Sequence, residues 1–526
     1  MAGRGGAGRR PRAVFMAFGT QGDVFPIAAL AAAFACDQQE YAVVFITHSA
    51  HRSLSAHLAA SSVRYMPVSS PPVLAAEQLE NISSDSIQSN HERESFSMRK
   101  KAIQAEHRKE CLSFVEEVFG NDPSISGDFI VINFFALLSA LRGNHYINVV
   151  KQLQVCWTDI IHWMWALFME SWGSWRNDCL NLSPIPFTVR SSNQSSFVAC
   201  ARGVTFITVS IMLLIINMKP MPYMRTIKLI HLHILYGFSK EIVECPGYWP
   251  FNAHACGFWF LPMDWQFSCD KCMELSGNIN SSFGGMLCAN HSSLEHFLTR
   301  NAYSSRPIFV GLSSIGRMGF LRNPKAFLMV LKAAIESTDY MFILFSSGYK
   351  PLDSAIQSIA SSVNESRGVD SPSLGGDSAL LFNGRLFCFL GSIPYSWLFP
   401  RCAAAIHHAG SGSTAAALLA GIPQVTCPFM MDQFYWSERL QWLGVAPEPL
   451  QRQNLVPDND DALSIHNAAD VLVGAIRSAL SPETKAQAAR IADRLSSEDG
   501  IGEALRILKA RVLTQNKIIS SFIASK

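Results

Sequence analysis

At 526 residues the chain is long enough for about two to four domains, each with its own core. Its charged fraction of 16% is low against the ~25% usual for soluble proteins, and 49% of its residues are hydrophobic, which suits an enzyme of apolar substrates or a chain living beside a membrane. A formal net charge of +2 excludes the global basic field of a nucleic-acid binder.

Residues 1–11 are basic and glycine-rich, and the apolar run behind them, "AVFMAF", ends in a glycine loop rather than a cleavage site. We read a disordered lead-in, not a signal peptide. "RAVFMAF" (12–18) is a β-type run, followed by the loop "GTQGDVFP" (19–26), the helical "IAALAAAFA" and the strand "YAVVFITH" (41–48). That order, β-loop-α-β, opens a parallel α/β sheet. "SVRYMPV" (62–68) is a further candidate strand, 69–90 a Ser/Pro-rich loop, 92–119 an exposed helix and "GDFIVINFF" (127–135) a buried strand.

Residues 136–235 resist regular assignment. "DIIHWMWALFMESWGSWRNDCL" (159–180) suggests an aromatic helix pair, whose tryptophans suit an apolar pocket and a plain core equally. The apolar run at 204–216, flanked by Arg202 and Lys219, falls short of the ~20 residues of a membrane span, so a buried or interfacial element is expected. This unpatterned stretch fits a divergent segment or a misread gene.

The second half is regular. A Gly/Ser/Asn-rich stretch (276–293) leads to an expected linker at 286–300. Strands follow at 306–312, 340–347, 385–391, 402–408 and 423–429, with helices between most of them and over 465–511. Two α/β domains result, 12–285 and 301–485, facing each other across a cleft, with C-terminal helices over 486–526. The 13 scattered cysteines indicate a reducing compartment, so a cytoplasmic location is expected. Cys269-Asp-Lys-Cys272 is a lone CxxC. A zinc site needs a second ligand pair, none is evident in this reading, and no metal is expected.

The most informative stretch is "CAAAIHHAGSGSTAAALLAGIPQVTCPFMMDQFYWSERL" (402–440). An apolar strand enters a tight turn of small residues, and an alanine-rich helix leaves it, with Ser413 placed to cap it and Gly421 to end it. The free N–H groups and dipole of a helix N-terminus favour phosphate, and ligands of open α/β sheets bind at the carboxyl ends of strands. His408 stands immediately before the turn and can add a hydrogen bond. His407, one residue earlier on an alternating strand, is expected to point away. Two other readings fit. The turn serves close packing alone, or "GSGSTA" (410–415) is the dinucleotide fingerprint G-x-G-x-x-A, with Asp432 near the offset of its ribose-binding acid.

Taken with "FLGSIPYSWLFPRC" (389–402), "MAFGTQGDVFPIAAL" (16–30) and "CGFWFLP" (256–262), the 402–445 region resembles the UDP-dependent glycosyltransferases, most closely their sterol 3-β-glucosyltransferase branch. That branch carries H-H-G-G-x-G-T-T, then P-x-x-x-D-Q, and an N-terminal G-T/S-R-G-D-V-x-P loop. The likeness covers roughly 12–68 and 235–450. It implies the GT-B fold, two facing Rossmann-like domains. His408 and the N–H groups of Gly410, Ser411, Gly412, Ser413 and Thr414 would hold the UDP diphosphate, and Ser413 would add its hydroxyl. Asp432 and Gln433 would hold sugar hydroxyls, and Ile393 with its loop would seat uracil. Ser314 would touch nucleotide or phosphate, and Asp23 would be the catalytic carboxylate. The implied reaction is inverting transfer of glucose from UDP-glucose to a lipophilic acceptor, a sterol 3-hydroxyl, with peripheral membrane contact and no cofactor.

The sequence departs from the pattern at Gln21, where arginine is usual, at Ala409 for glycine, at Ser413 for threonine and at Ala416 for a ribose-binding glutamate of other branches. An ordinary Asp, with a pKa of ~3.9, is a poor base at neutrality unless burial raises it. His48 and His51, in "THSAH", are accessory candidates for orienting or replacing Asp23. A chain that binds UDP-sugar without transferring it, and an NAD-dependent oxidoreductase, are the competing functions.

Overall fold

The computed structural model describes residues 10–72, 86–119, 128–133, 212–217, 233–243, 253–267, 269–277, 287–300, 306–367, 378–391, 393–430 and 432–510. The first half contributes β1 (Arg12–Met16), α1 (Gln21–Asp37), β2 (Ala42–His48), α2 (Leu54–Ala60), β3 (Val63–Val68), α3 (Ser86–Phe119), β4 (Phe129–Asn133), β5 (Met212–Asn217), β6 (His233–Tyr236) and β7 (Ala253–Ala255). They build a seven-stranded sheet in the order β3-β2-β1-β4-β5-β6-β7. β1 to β4 run parallel, and β5 opposes both its neighbours. Helices cover both faces, which is why β4 is buried along its whole length rather than alternating. The apolar run at 204–216 thus supplies a sheet strand at its carboxyl end. Its first part and the aromatic 159–180 lie outside the described residues.

The second half contributes α4 (Asp270–Gly277), α5 (Ser292–Arg300), β8 (Ile308–Gly311), α6 (Pro324–Glu336), β9 (Phe342–Phe345), α7 (Lys350–Arg367), β10 (Ser378–Leu381), β11 (Leu386–Phe389), α8 (Tyr395–Leu398), β12 (Ala404–His407), α9 (Ser411–Leu419), β13 (Gln424–Thr426), α10 (Gln433–Trp442), α11 (Ala462–Ala479), α12 (Pro482–Leu495) and α13 (Gly500–Leu508). Its six-stranded sheet has the order β10-β11-β9-β8-β12-β13. Every pair is parallel except β10 with β11. Sequence reasoning misses β10. It forms because Phe382, Asn383 and Gly384 all take left-handed φ, of 52, 58 and 75°, and turn the chain into a hairpin.

Both sheets grow outward from a middle strand and then switch sides. β1, β2 and β3 run one way before β4 is laid on the other flank of β1, and β8, β9 and β11 do the same before β12. Loops after the two strands at each switch diverge and open a crevice at the carboxyl ends. The architecture is therefore two Rossmann-like α/β units, as the sequence implied.

Two boundaries differ from expectation. Residues 286–300, expected as a linker, carry α5, whose Leu294 and Phe297 lie in the core shared with Phe309 and Phe387. The flexible composition stops short of that helix. The C-terminal helices also cross back to the first half. Ala504, Ile507 and Leu508 of α13 pack in the α1 core, and Trp259 Nε1 donates to the Gly500 carbonyl at 3.0 Å.

Candidate active site

β12 delivers the two histidines, both buried. His407 Nε2 donates to Gln424 Oε1 at 2.8 Å, and its Nδ1 accepts the Ala409 N–H at 3.0 Å. Both ring nitrogens are thus occupied and the tautomer is set, so His407 holds β12 to β13 and shapes the turn. His408 folds the other way. A Cβ on Gly410 would sit 2.5 Å from His408 Nε2, so the ring lies over the N-cap residue of α9 and only glycine leaves it room. His408 Nδ1 is buried without a hydrogen-bond partner, and so is the Thr414 hydroxyl. Each such orphan costs about 1–3 kcal/mol, recoverable when a ligand pairs with it. Burial, then the charge of His407, pushes the His408 pKa down to about 3, so the ring is neutral near pH 7.

The helix is capped three residues earlier than expected. Gly410, not Ser413, is its N-cap, and the Thr414 N–H closes the first turn onto the Gly410 carbonyl at 3.0 Å. The N–H groups a phosphate can use are therefore those of Ser411, Gly412 and Ser413, while Thr414 offers its hydroxyl. Ser413 lies inside the first turn, beside the Tyr395 hydroxyl, whose pKa burial raises to about 12 against the effect of that serine.

Across from this turn, Asp23 sits in α1 rather than in an open loop. It is the N3 residue of a capping box. Its Oδ2 accepts from the Thr20 N–H and from Thr20 Oγ1, both at 2.8 Å. Asn133, at the end of β4, clamps the same loop. Its Oδ1 accepts the Phe18 N–H at 3.1 Å and its Nδ2 donates to the carbonyls of Phe18 at 2.7 Å and Asp23 at 3.3 Å. Sequence reasoning misses Asn133. An amide closing a strand at a switch point is its only local signal.

The accessory histidines do not bond Asp23. His51 Nε2 donates to the Gly19 carbonyl at 3.0 Å, and His48 Nδ1 donates to the Ser70 carbonyl at 2.7 Å. His107 of α3, also missed, joins them through Ser70 Oγ at 2.7 Å. Burial, then the neighbouring His107, drives the His48 pKa to about 3, which makes it a poor base. Their place is behind the Asp23 loop, holding it.

The two loops meet. A Cβ on Gly412 would lie 4.0 Å from the Gly22 Cα, so the N-termini of α9 and α1 converge on one spot. Two positive helix ends and a carboxylate share that space. Ser314 follows β8, which pairs with β12, and is buried at the same sheet end. Asp432 Oδ2 accepts from Trp436 Nε1 at 3.1 Å, and Gln433 Oε1 accepts the N–H groups of Phe429 and Met430 at 2.9 and 3.2 Å. The amide nitrogen of Gln433 remains as the donor it can turn to a ligand. Ile393 is 2% exposed and packed with Trp397 and Leu398, so its side chain supports the loop rather than offering a surface. Asp432 lies at the N-cap of α10, well past β13, and not at the strand end where a ribose-binding acid of a dinucleotide site belongs. The geometry goes against the dinucleotide reading. A groove of about 790 Å³ lined by Arg12, Tyr41 and Arg64 opens at the opposite, amino-terminal ends of β1 and β2.

Residues 383–499, which contain Ile393, His408, the α9 turn, Asp432 and Gln433, match the family of the erythromycin biosynthesis protein CIII-like, C-terminal domain. The sterol 3-beta-glucosyltransferase UGT80B1 of Arabidopsis thaliana is 27% identical over 293 residues, covering 55% of this chain and 37% of that protein. A second from the same plant, UGT80A2, is 35% identical over 140 residues, covering 27% and 20%. Over these spans the chain is similar to the sterol glucosyltransferase branch of the UDP-glycosyltransferases. Among solved structures, the calicheamicin glycosyltransferase CalG4 aligns with a TM-score of 0.48 at 13% identity, covering 95% of this chain and 98% of that one.

The two converging turns, one from each Rossmann-like unit, line the crevice between the units. The aligned part spans 37% or less of the two curated relatives' own lengths, so the activity of those whole proteins is not carried by the match.

Proposed function

We propose that the chain transfers glucose from UDP-glucose to the hydroxyl of a lipophilic acceptor, the 3-hydroxyl of a sterol, with inversion. The observation that carries this reading is the meeting of the α9 and α1 N-termini at Gly412 and Gly22, beside the unpartnered His408 Nδ1 and Thr414 Oγ1. The diphosphate takes the N–H groups of Ser411, Gly412 and Ser413, and His408 and Thr414 gain the partners they lack. Asp432 and Gln433 orient the sugar. Asp23 accepts the acceptor's proton, the oxygen forms its bond to the anomeric carbon, and the carbon–oxygen bond to phosphate breaks from the opposite face. The electron pair goes to the diphosphate, where the helix dipole and hydrogen bonds stabilise it. His408, neutral before binding, gains a reason to hold a proton once the phosphate faces it. Among the described residues no helix is long and apolar enough to cross a membrane, so a bilayer-resident sterol would be met by peripheral contact.

A second reading has its own support. One oxygen of Asp23 already serves the Thr20 capping box, which suits a chain that binds the donor without using a base. UDP and NAD titrations come first: binding of NAD alone sinks both readings. Glucose transfer to a sterol panel, abolished in Asp23→Asn and His408→Ala, supports the transferase. UDP binding with no transfer to any acceptor supports the binder.

A further inference from the structure

We infer that Cys269, Cys272, Cys288 and His291 form a structural zinc site. Their ligand atoms all lie within 4.8 Å of one another. Cys269 Sγ and Cys288 Sγ are 3.7 Å apart, and His291 Nδ1 stands 3.2 Å from Cys272 Sγ and 3.4 Å from Cys288 Sγ. A tetrahedral zinc with Zn–S bonds of ~2.3 Å holds its sulfurs about 3.8 Å apart and a nitrogen ligand slightly closer. Those three edges match, and the remaining ones stay within 4.8 Å. The lone CxxC read from the sequence is therefore half of a C-x2-C … C-x2-H set, whose second half ends in histidine and escapes a search for paired cysteines.

The surroundings are those of a closed structural site. The first pair opens α4 and the second precedes α5, so one ion would tie together the two short helices that join the halves of the molecule. The Cys288 N–H points to Cys272 Sγ at 3.4 Å, a donor that stabilises a metal thiolate. Cys272 and Cys288 are buried in the core that contains Leu294 and Phe389, and the His291 ring meets Phe389 edge-on at 5.5 Å. Three thiols and an imidazole are soft and borderline ligands, the set that selects zinc over hard cations. All four positions come from protein, so a water is not activated and the role is to brace the fold. β11 ends at Phe389, four residues before Ile393, so the brace stands under the loop beside the donor site.

The full chain, expressed with zinc and purified under reducing conditions without chelator, is expected to carry one zinc per chain by elemental analysis. Cys272→Ser and Cys288→Ser should lose it, and Cys36→Ser should keep it. Because those variants can fail to fold, cobalt(II) exchanged into the wild type gives a second reading. Tetrahedral d–d bands with thiolate charge transfer are expected, together with a lower melting temperature after chelation. Substoichiometric zinc with no such spectrum overturns the assignment. So does equal zinc in the wild type and in folded cysteine variants, or a Cys269–Cys288 disulfide in the freshly isolated chain.

Discussion

Single residues set the chemistry of the α9 turn. Gly410 is glycine because His408 fills the space of its Cβ, at 2.5 Å from Nε2. Gly410→Ala keeps an allowed backbone but must push the imidazole aside, so UDP affinity should fall at least tenfold, about 1.4 kcal/mol, with a smaller change in the urea midpoint. Calorimetry would decide, and unchanged affinity would remove His408 from the donor site. Ala409 shows a different balance. Its φ of 59° lies in the left-handed region, where a methyl costs ~1–2 kcal/mol, yet it is fully buried and gains ~0.8 kcal/mol for that methyl. Glycine would also loosen the unfolded chain. Ala409→Gly should therefore shift stability by less than about 1 kcal/mol. The departure from the family glycine is tolerable because burial offsets strain, a reason no sequence motif contains.

Elements respond to pH through their buried histidines. His48 ends β2 with a pKa lowered to about 3, His407 ends β12 with a pKa near 4, and His408 follows with a pKa of about 3, each chiefly through burial. An unfolded histidine titrates at ~6.5, so below that pH the unfolded chain binds protons that the folded one refuses. Stability is complete above about pH 6.5 and is lost as pH falls toward 3–4. By pH 5 the loss should be roughly 2 kcal/mol per histidine, less for the coupled 407–408 pair. Urea unfolding at pH 7 and 5 measures it. A His48→Asn variant should show a shallower loss, and an unchanged slope would mean these rings are not the cause. At the N-terminus of α1, Asp23→Asn removes the charge that the helix dipole favours, which costs ~0.3–1 kcal/mol. Transfer activity should fall by a hundredfold or more if Asp23 is the base, so the ratio of the two effects separates catalysis from capping.

The whole molecule is closed by its last described helices. α12 packs on α9 of the second unit, but α13, which follows it, packs on the first, where Gly500 meets the backbone of Gly257 and Phe258. A Cβ at residue 500 would lie 2.3 Å from the Phe258 carbonyl oxygen, a collision with backbone rather than with a side chain that can turn. Gly500→Ala should destabilise by roughly 1–3 kcal/mol through overpacking, and Ile507→Ala by about 2–5 kcal/mol through lost burial. Both should lower the melting temperature of the first unit. A melting curve that moves only in the second unit would show that the helices do not clamp the two together.

By itself the sequence determined the α/β class, most strands, the Gly-Ser turn after β12 and the residues that flank it. Strand runs are apolar enough to read, and Gly-Ser turns before alanine helices are local features. Tertiary structure decided the rest, because distant residues had to be brought into contact. It gave Asp23 its capping partner and Asn133 its clamp. It placed His48 and His51 behind the loop instead of against the carboxylate, and moved Asp432 away from a ribose site. It turned a presumed linker into a packed helix and set Cys288 and His291 beside a CxxC some twenty residues earlier. Periodicity and turn chemistry act over a few residues and leave their mark in the order of the chain. Hydrogen bonds, close approaches and metal-ligand edges are set by distances in space, which only the folded sheets and helices fix.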